Sequence, residues 1–259
     1  MSSTPIDENQ LGNAEMGAFF HAIAPYTVAL LPPDGLQVGT GSLVRWKSKP
    51  LILTANHNLK GVKPSAMRFR VFPGGPLAWG PMTDCRDYSI MSAGCALPVK
   101  DEALADTDND VVAIRLCTER LPEAAEFYEL GRPTPVLSEG NSVIVVGFAW
   151  DNSVPLLGQA RAIGVTTQTG RFDAALNARS DLSSQYDPTN HFLLPYTRID
   201  EGVRPHGMSG AGAWGNLNHS GMVWNAKPAL VGIQTSYFPK SKLIQMTRIK
   251  TILNLLEQI

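Results

Sequence analysis

The residues around Ser209 carry the strongest chemical signal in the sequence. Pro205-His206-Gly207-Met208-Ser209-Gly210-Ala211-Gly212 sets one hydroxyl among side chains too small to shield it, and glycines in such number lower local stability. Alone, the stretch reads as readily as a tight turn. A serine becomes nucleophilic at neutral pH only when a base takes its proton, an anion orients that base and backbone donors receive the oxyanion. His57, at the end of the apolar run Leu51-Ile52-Leu53-Thr54-Ala55-Asn56, can serve as base. Asp110, at the mouth of the apolar run Val111-Val112-Ala113-Ile114, can serve as the anion, since a carboxylate there is costly to desolvate without a partner. Asp106 and Asp108 read as solvated loop charges. Taken singly, His57 reads as a strand-end residue and Asp110 as a turn residue.

The elements that must position these groups are strands. From Pro25 onward, short apolar runs alternate with Gly, Pro, Asn and Asp turns, the pattern of an all-β barrel or sandwich rather than of βαβ units. Strands are expected over residues 26–31, 36–46, 51–54, 67–72, 110–116, 143–150, 159–167, 191–198, 212–214 and 230–237, with turns at residues 32–35 and 48–50 and a loop over 73–81. Met16, Phe19, Phe20 and Ile23 share one face of a short helix expected to pack on the protein's own core. Ile249, Ile252, Leu253 and Leu256 do the same near the C-terminus, where Thr247 is a plausible N-cap and the second half the expected dock. The organisation is therefore an extension and helix (1–24), a first β unit (25–117), a linker (118–135), a second β unit (136–245) and a C-terminal helix (246–259).

The order His, Asp, Ser, with the first two in one half and the serine in the other, is that of chymotrypsin and differs from subtilisin and the α/β-hydrolases. The phrases Gly39-Thr40-Gly41-Ser42-Leu43-Val44, Ile52 to His57, Asp110 to Ile114, Gly207 to Gly210 and Leu230-Val231-Gly232-Ile233 together resemble the motifs of trypsin-like, chymotrypsin-fold serine proteases, over about residues 25–257. The resemblance implies two antiparallel six-stranded β-barrels with a cleft between them, a fold that leaves few strand edges exposed. It also implies Ser209 as nucleophile, His57 as base and then acid, and Asp110 as the group fixing the imidazole tautomer. Gly207 and Ser209 N–H would form the oxyanion hole. Thr235 would support the aspartate, and an extended peptide would pair along Thr235, Ser236 and Tyr237.

Departures from the family pattern shape the rest. Met208 stands where secreted animal members keep an aspartate that pairs with a newly cut N-terminus, and no Ile-Val-Gly-Gly activation sequence occurs, so the resemblance is to bacterial or intracellular members. The resemblance puts Val203 at the pocket base, where it would offer no carboxylate and so disfavour cleavage after Arg or Lys, and Tyr237 at a pocket wall, where it would narrow the site toward small or medium apolar residues. Arg204, Lys240 and Lys242 would attract an acidic side chain only if they turned inward, and His206 lines the cleft or is simply exposed.

Composition bounds the alternatives. The 22 basic and 23 acidic residues leave a formal net charge of −1, giving no field to recruit nucleic acid or an anionic membrane. Cys85, Cys95 and Cys117 are odd in number and fit neither a disulfide framework nor a zinc site, so three reduced, mostly buried thiols are expected, with no cofactor and no metal. No Lys or Arg precedes Arg45, which speaks against a secretory signal and for a cytoplasmic protein. The expected activity is that of a serine endopeptidase acting on peptide or protein substrates. The alternatives are a pseudoprotease or peptide-binding module, and a protease inactive until a partner or ligand reshapes the Gly207 loop.

Overall fold

Leu51, Ile52 and Leu53 are all fully buried. Successive side chains of a strand point to opposite faces, so this strand is covered on both sides, and the same holds for Val111 to Ile114 and Val143 to Val146. The computed structural model in which this is seen describes residues 18–31, 39–71, 79–81, 87–90, 95–123, 125–131, 136–152, 154–155, 161–162, 164–178, 182, 186–216 and 228–259. Met16, Cys85 and the turn expected at residues 32–35 lie outside them.

In chain order the strands are β1 (Thr27–Leu31), β2 (Gly39–Trp46), β3 (Lys49–Ala55), β4 (Arg68–Val71), β5 (Trp79–Pro81), β6 (Asp87–Ile90), β7 (Cys95–Ala96), β8 (Val99–Asp106), β9 (Val111–Leu116), β10 (Tyr128–Glu129), β11 (Ser142–Gly147), β12 (Val154–Pro155), β13 (Arg161–Ala162), β14 (Gly164–Arg171), β15 (His191–Pro195), β16 (Gly212–Asn216), β17 (Pro228–Phe238) and β18 (Leu243–Arg248). Helix α1 covers residues 18–23 and α2 is Ile249–Leu256. The first sheet runs β7-β4-β1-β2-β3-β9-β8. Strands β7 and β8 are one segment bent at Leu97-Pro98: Leu97 N–H bonds to Phe69 O (2.8 Å) on one side and Pro98 O accepts Cys117 N–H (3.0 Å) on the other. Proline, which has no N–H to give a ladder, suits the corner. The bend brings the two ends of the sheet together and closes a six-stranded barrel, to which β10 adds in parallel beside β2.

The second barrel has the order β15-β18-β17-β16-β11-β14. The β5–β6 hairpin, from the first half of the chain, extends it beside β14. Between β14 and β15 the Gln168 amide spans the gap, donating to Pro195 O (3.2 Å) and accepting Thr197 N–H (3.2 Å).

Period-two alternation sorts the buried residues into three layers. Ile52, Val112 and Ile114 fill the first barrel with Leu43 and Phe69; Val143 and Val145 fill the second with Phe192, Tyr196 and Met246. Leu51, Leu53, Val111, Ile144 and Val146 face the layer between the barrels. Both helices enter that middle layer, Phe19, Phe20 and Ile23 from α1 and Ile249, Ile252, Leu255 and Leu256 from α2. Helix α2 thus does not dock on the second half alone. Trp46 Nε1–H donates to Leu256 O (3.0 Å) and Lys47 pairs with Glu257 (2.8 Å), both from the first barrel. Nor is Thr247 its N-cap: Thr247 is a β18 residue, and Arg248 stands at the cap without a side-chain cap bond. Ile252 has no exposed surface, so Ile252→Ala is expected to cost about 2–5 kcal/mol of stability, read as a shift in the urea midpoint with the slope unchanged.

Candidate active site

His57 sits in the turn Asn56–Asn58 directly after β3. Asp110 closes the turn between β8 and β9 in the left-handed region (φ 51°), which aspartate tolerates better than most residues. That turn is shaped by Asp106, whose carboxylate accepts the Asn109 N–H (3.1 Å) and side-chain amide (2.7 Å); Asp106 is a structural acceptor rather than a free loop charge. Adjacent strands β3 and β9 then set histidine against aspartate. His57 Nδ1 lies 2.6 Å from Asp110 Oδ2, and His57 N–H donates to Asp110 Oδ1 (2.9 Å). Asn56 N–H also donates to Asp110 O (3.0 Å). The carboxylate therefore holds the histidine at two points, through ring and backbone.

The serine comes from the second barrel. Pro205 O accepts Met208 N–H (3.0 Å) across a turn in which Gly207 has φ +91°, the conformation of the third residue of a type II turn. Ser209 and Gly207 are half-buried. Ser209 O accepts the Asn58 side-chain amide (2.8 Å) and Thr40 N–H (3.1 Å), so the serine's backbone is bonded to the residue next to His57. Among the described residues, the N–H groups of Gly207 and Ser209 have no hydrogen-bond partner, and Ser209 Oγ makes no hydrogen bond to His57. The arrangement presents two free donors beside a hydroxyl, with a carboxylate-oriented imidazole on the facing loop.

Met208 is fully buried in the second-barrel core, its sulfur 3.7 Å from the Tyr196 hydroxyl. It acts as an apolar anchor for the loop. Before the turn, Arg204 is clamped to Asp151 by its backbone N–H (2.9 Å), Nε (3.0 Å) and Nη2 (2.9 Å). The guanidinium holds the Asp151 carboxyl below the usual carboxylate range. Because this folded-state value is depressed, the staple contributes at neutral pH and is lost as acid protonates Asp151. Lys242 is likewise occupied, by Asp200 (2.5 Å). Neither of these two cations is left unpaired for an acidic substrate side chain, and Lys240 is exposed.

Val203 is half-buried against the second-barrel core, as is Tyr237, whose ring lies 5.7 Å from that of Tyr196. Ser236 is half-buried, and His206 is exposed with its carbonyl accepting Trp150 N–H (2.7 Å). Thr235 is the bulged residue of β17, buried, its hydroxyl 3.4 Å from that of Thr247. Thr247 Oγ1 in turn donates to Asn109 O (2.7 Å). Support for the Asp110 turn is thus relayed through Thr247. The sequence reads Thr247 only as a helix cap and gives Thr40 and Asn58 no side-chain role at the site, because bonds to carbonyls so distant along the chain leave no local pattern. Cys117 is a free, half-exposed thiol. Among the described residues no three His, Cys, Asp or Glu side chains come together to hold a metal ion, and no helix is long and apolar enough to cross a membrane.

No protein-family model matches the chain, and no curated protein matches it. Among solved structures it is similar to that of the scabies mite inactivated protease paralogue S-I1, at 16% sequence identity and a TM-score of 0.58, over 91% of this chain and 94% of that one. At this identity the likeness speaks for the architecture alone: two curled, six-stranded antiparallel barrels and a C-terminal helix, the chymotrypsin-like fold.

Proposed function

We propose that the chain is a serine endopeptidase acting through Ser209, His57 and Asp110. The observation that carries this reading is the two-point hold of Asp110 on His57, at 2.6 Å and 2.9 Å. With the His57 N–H occupying one carboxylate oxygen, the other accepts Nδ1–H, which leaves Nε2 unprotonated and able to act as a base. Ser209 Oγ attacks the scissile carbonyl carbon while its proton passes to Nε2, and Asp110 stabilises the imidazolium. The developing oxyanion takes the N–H groups of Gly207 and Ser209, each worth about 2.7–4 kcal/mol in the transition state. His57 then protonates the leaving amine, the C–N bond breaks, and water repeats the sequence to release the acyl group. An extended substrate pairs along Thr235 to Tyr237. Val203 makes a poor seat for Arg or Lys, and with Arg204 and Lys242 held by Asp151 and Asp200 small or medium apolar residues are favoured.

A second reading, a catalytically silent member or one awaiting a partner, draws on the missing Ser209–His57 hydrogen bond and on the neighbour's being an inactivated protease paralogue. Such bonds are often long without substrate. A fluorophosphonate probe separates the two readings. Labelling of the purified protein that vanishes in Ser209→Ala is the expected result, and a wild type that stays unlabelled under native conditions favours the silent reading. Peptide-library cleavage after Arg or Lys would overturn the assignment of Val203.

A further inference from the structure

The Gly207 and Ser209 N–H groups have no partner among the described residues to fix them directly, and Met208, being apolar and buried, supplies no ion pair for that purpose. Thr40 does have the means. This first-barrel residue is fully buried; its hydroxyl donates to Gly207 O (2.7 Å) and accepts Phe148 N–H (2.9 Å). Its backbone N–H donates to Ser209 O (3.1 Å). Thr54 Oγ1 donates to Thr40 O (2.6 Å) and accepts the Asn58 amide (2.9 Å), which reaches Ser209 O as well. The carbonyls fixed in this way belong to the peptide groups 207–208 and 209–210, on either side of the peptide that carries the Ser209 N–H. A peptide unit is planar, so pinning the oxygens of its neighbours limits the rotation of the one between.

We propose that Thr40 is the positioning residue of the oxyanion loop, a fixed cross-barrel tether that sets the orientation of the Gly207 and Ser209 donors without cleavage of the chain. A buried hydroxyl with one donor and one acceptor partner has a single rotor setting that satisfies both. Isosteric Thr40→Val keeps the packing but takes from the Gly207 carbonyl its hydroxyl donor, whereas Thr40→Ser keeps the hydroxyl. For its effect on turnover the proposal rests on the peptidase reading; for its effect on the loop it does not.

The test is amide exchange by mass spectrometry over residues 205–211, with the fluorophosphonate rate and peptide kinetics measured alongside, on the full chain as wild type, Thr40→Val and Thr40→Ser. Thr40→Val is expected to speed exchange at 205–211 about tenfold relative to β11 and β17, and to lower kcat between about 10- and 1,000-fold with KM within about twofold, a loss bounded by that of one oxyanion donor. Thr40→Ser is expected to stay near wild type in each. Unchanged exchange at 205–211 in Thr40→Val overturns the proposal whatever the activity. Acceleration spread equally over β11 and β17 overturns it too, making Thr40 a residue of the fold. If wild type is neither labelled nor active but exchange still separates Val from Ser, the peptidase reading fails and the tether stands.

Discussion

Asp110→Asn is expected to lower kcat by about 10⁴-fold, the loss typical of removing this charge from a Ser-His-Asp triad, while leaving the fold intact. The reasoning turns on which oxygen is free to change. Asp110 Oδ1 accepts the His57 backbone N–H, a donor that cannot reverse its role. The asparagine oxygen must take that place, which leaves Nδ2 facing the imidazole Nδ1, 2.6 Å from the carboxylate oxygen it replaces. An amide nitrogen only donates, so Nδ1 is driven to accept and the ring proton moves to Nε2. The base then has no lone pair directed at Ser209. Hydrogen bonds to a charged group contribute about 1.5–3 kcal/mol, so a modest fall in urea midpoint should accompany the loss of labelling. A variant that labels within tenfold of the wild-type rate would show that Asp110 does not set the tautomer.

The strands that hold these groups were legible where burial on both faces wrote an unbroken apolar run, as in β3, β9, β11 and β17. Strand β8, Val-Lys-Asp-Glu-Ala-Leu-Ala-Asp, was not, because half of it is exposed, none of it is fully buried, and Asp106 at its end reads as a loop charge. Strand β18 was missed for another reason. It passes into α2 at Arg248 with no glycine or proline between them, so the helical spacing of Ile249 to Leu256 absorbed Thr247, whose hydroxyl is in fact committed to Asn109. The expected turn at residues 48–50 is displaced as well. Lys47 and Ser48, both at positive φ, make the two-residue hairpin, and Pro50 pairs with Arg45 inside β3, just beyond the first partner that β9 offers, Leu51. Proline is tolerated there because no neighbour asks for its N–H. At the site, residue types and their order pointed to His57, Asp110 and Ser209. The tethers from Thr40 and Asn58 were not readable, since a hydroxyl or amide that bonds to a backbone carbonyl more than a hundred residues away leaves no local pattern.

Gly210→Ala should be more damaging than its single methyl suggests. Gly210 has φ +91°, and a Cβ built there would lie 1.9 Å from Thr40 O and 2.2 Å from Thr54 Oγ1, far inside any tolerated contact. The first obstacle is backbone in β2, paired on both edges by β1 and β3, so it has nowhere to go. The serine loop must instead retreat by an ångström or more. Retreat strains the bonds to Ser209 O from Thr40 and Asn58, and the Gly210 N–H bond to Gln234 O (2.7 Å) that ties the loop to β17. Displacement of a nucleophile by 1 Å can cost about 10²-fold in rate, and left-handed backbone adds about 1–2 kcal/mol for a residue with a Cβ. The expected result is a folded or weakened protein whose fluorophosphonate labelling falls at least about 100-fold. Gly202→Ala, also at positive φ (+82°) but with nothing within 4 Å of its added methyl, supplies the control: it carries the same backbone penalty without the collision. If both variants label at the same rate, the close approach of the two barrels at Gly210 is not what places Ser209.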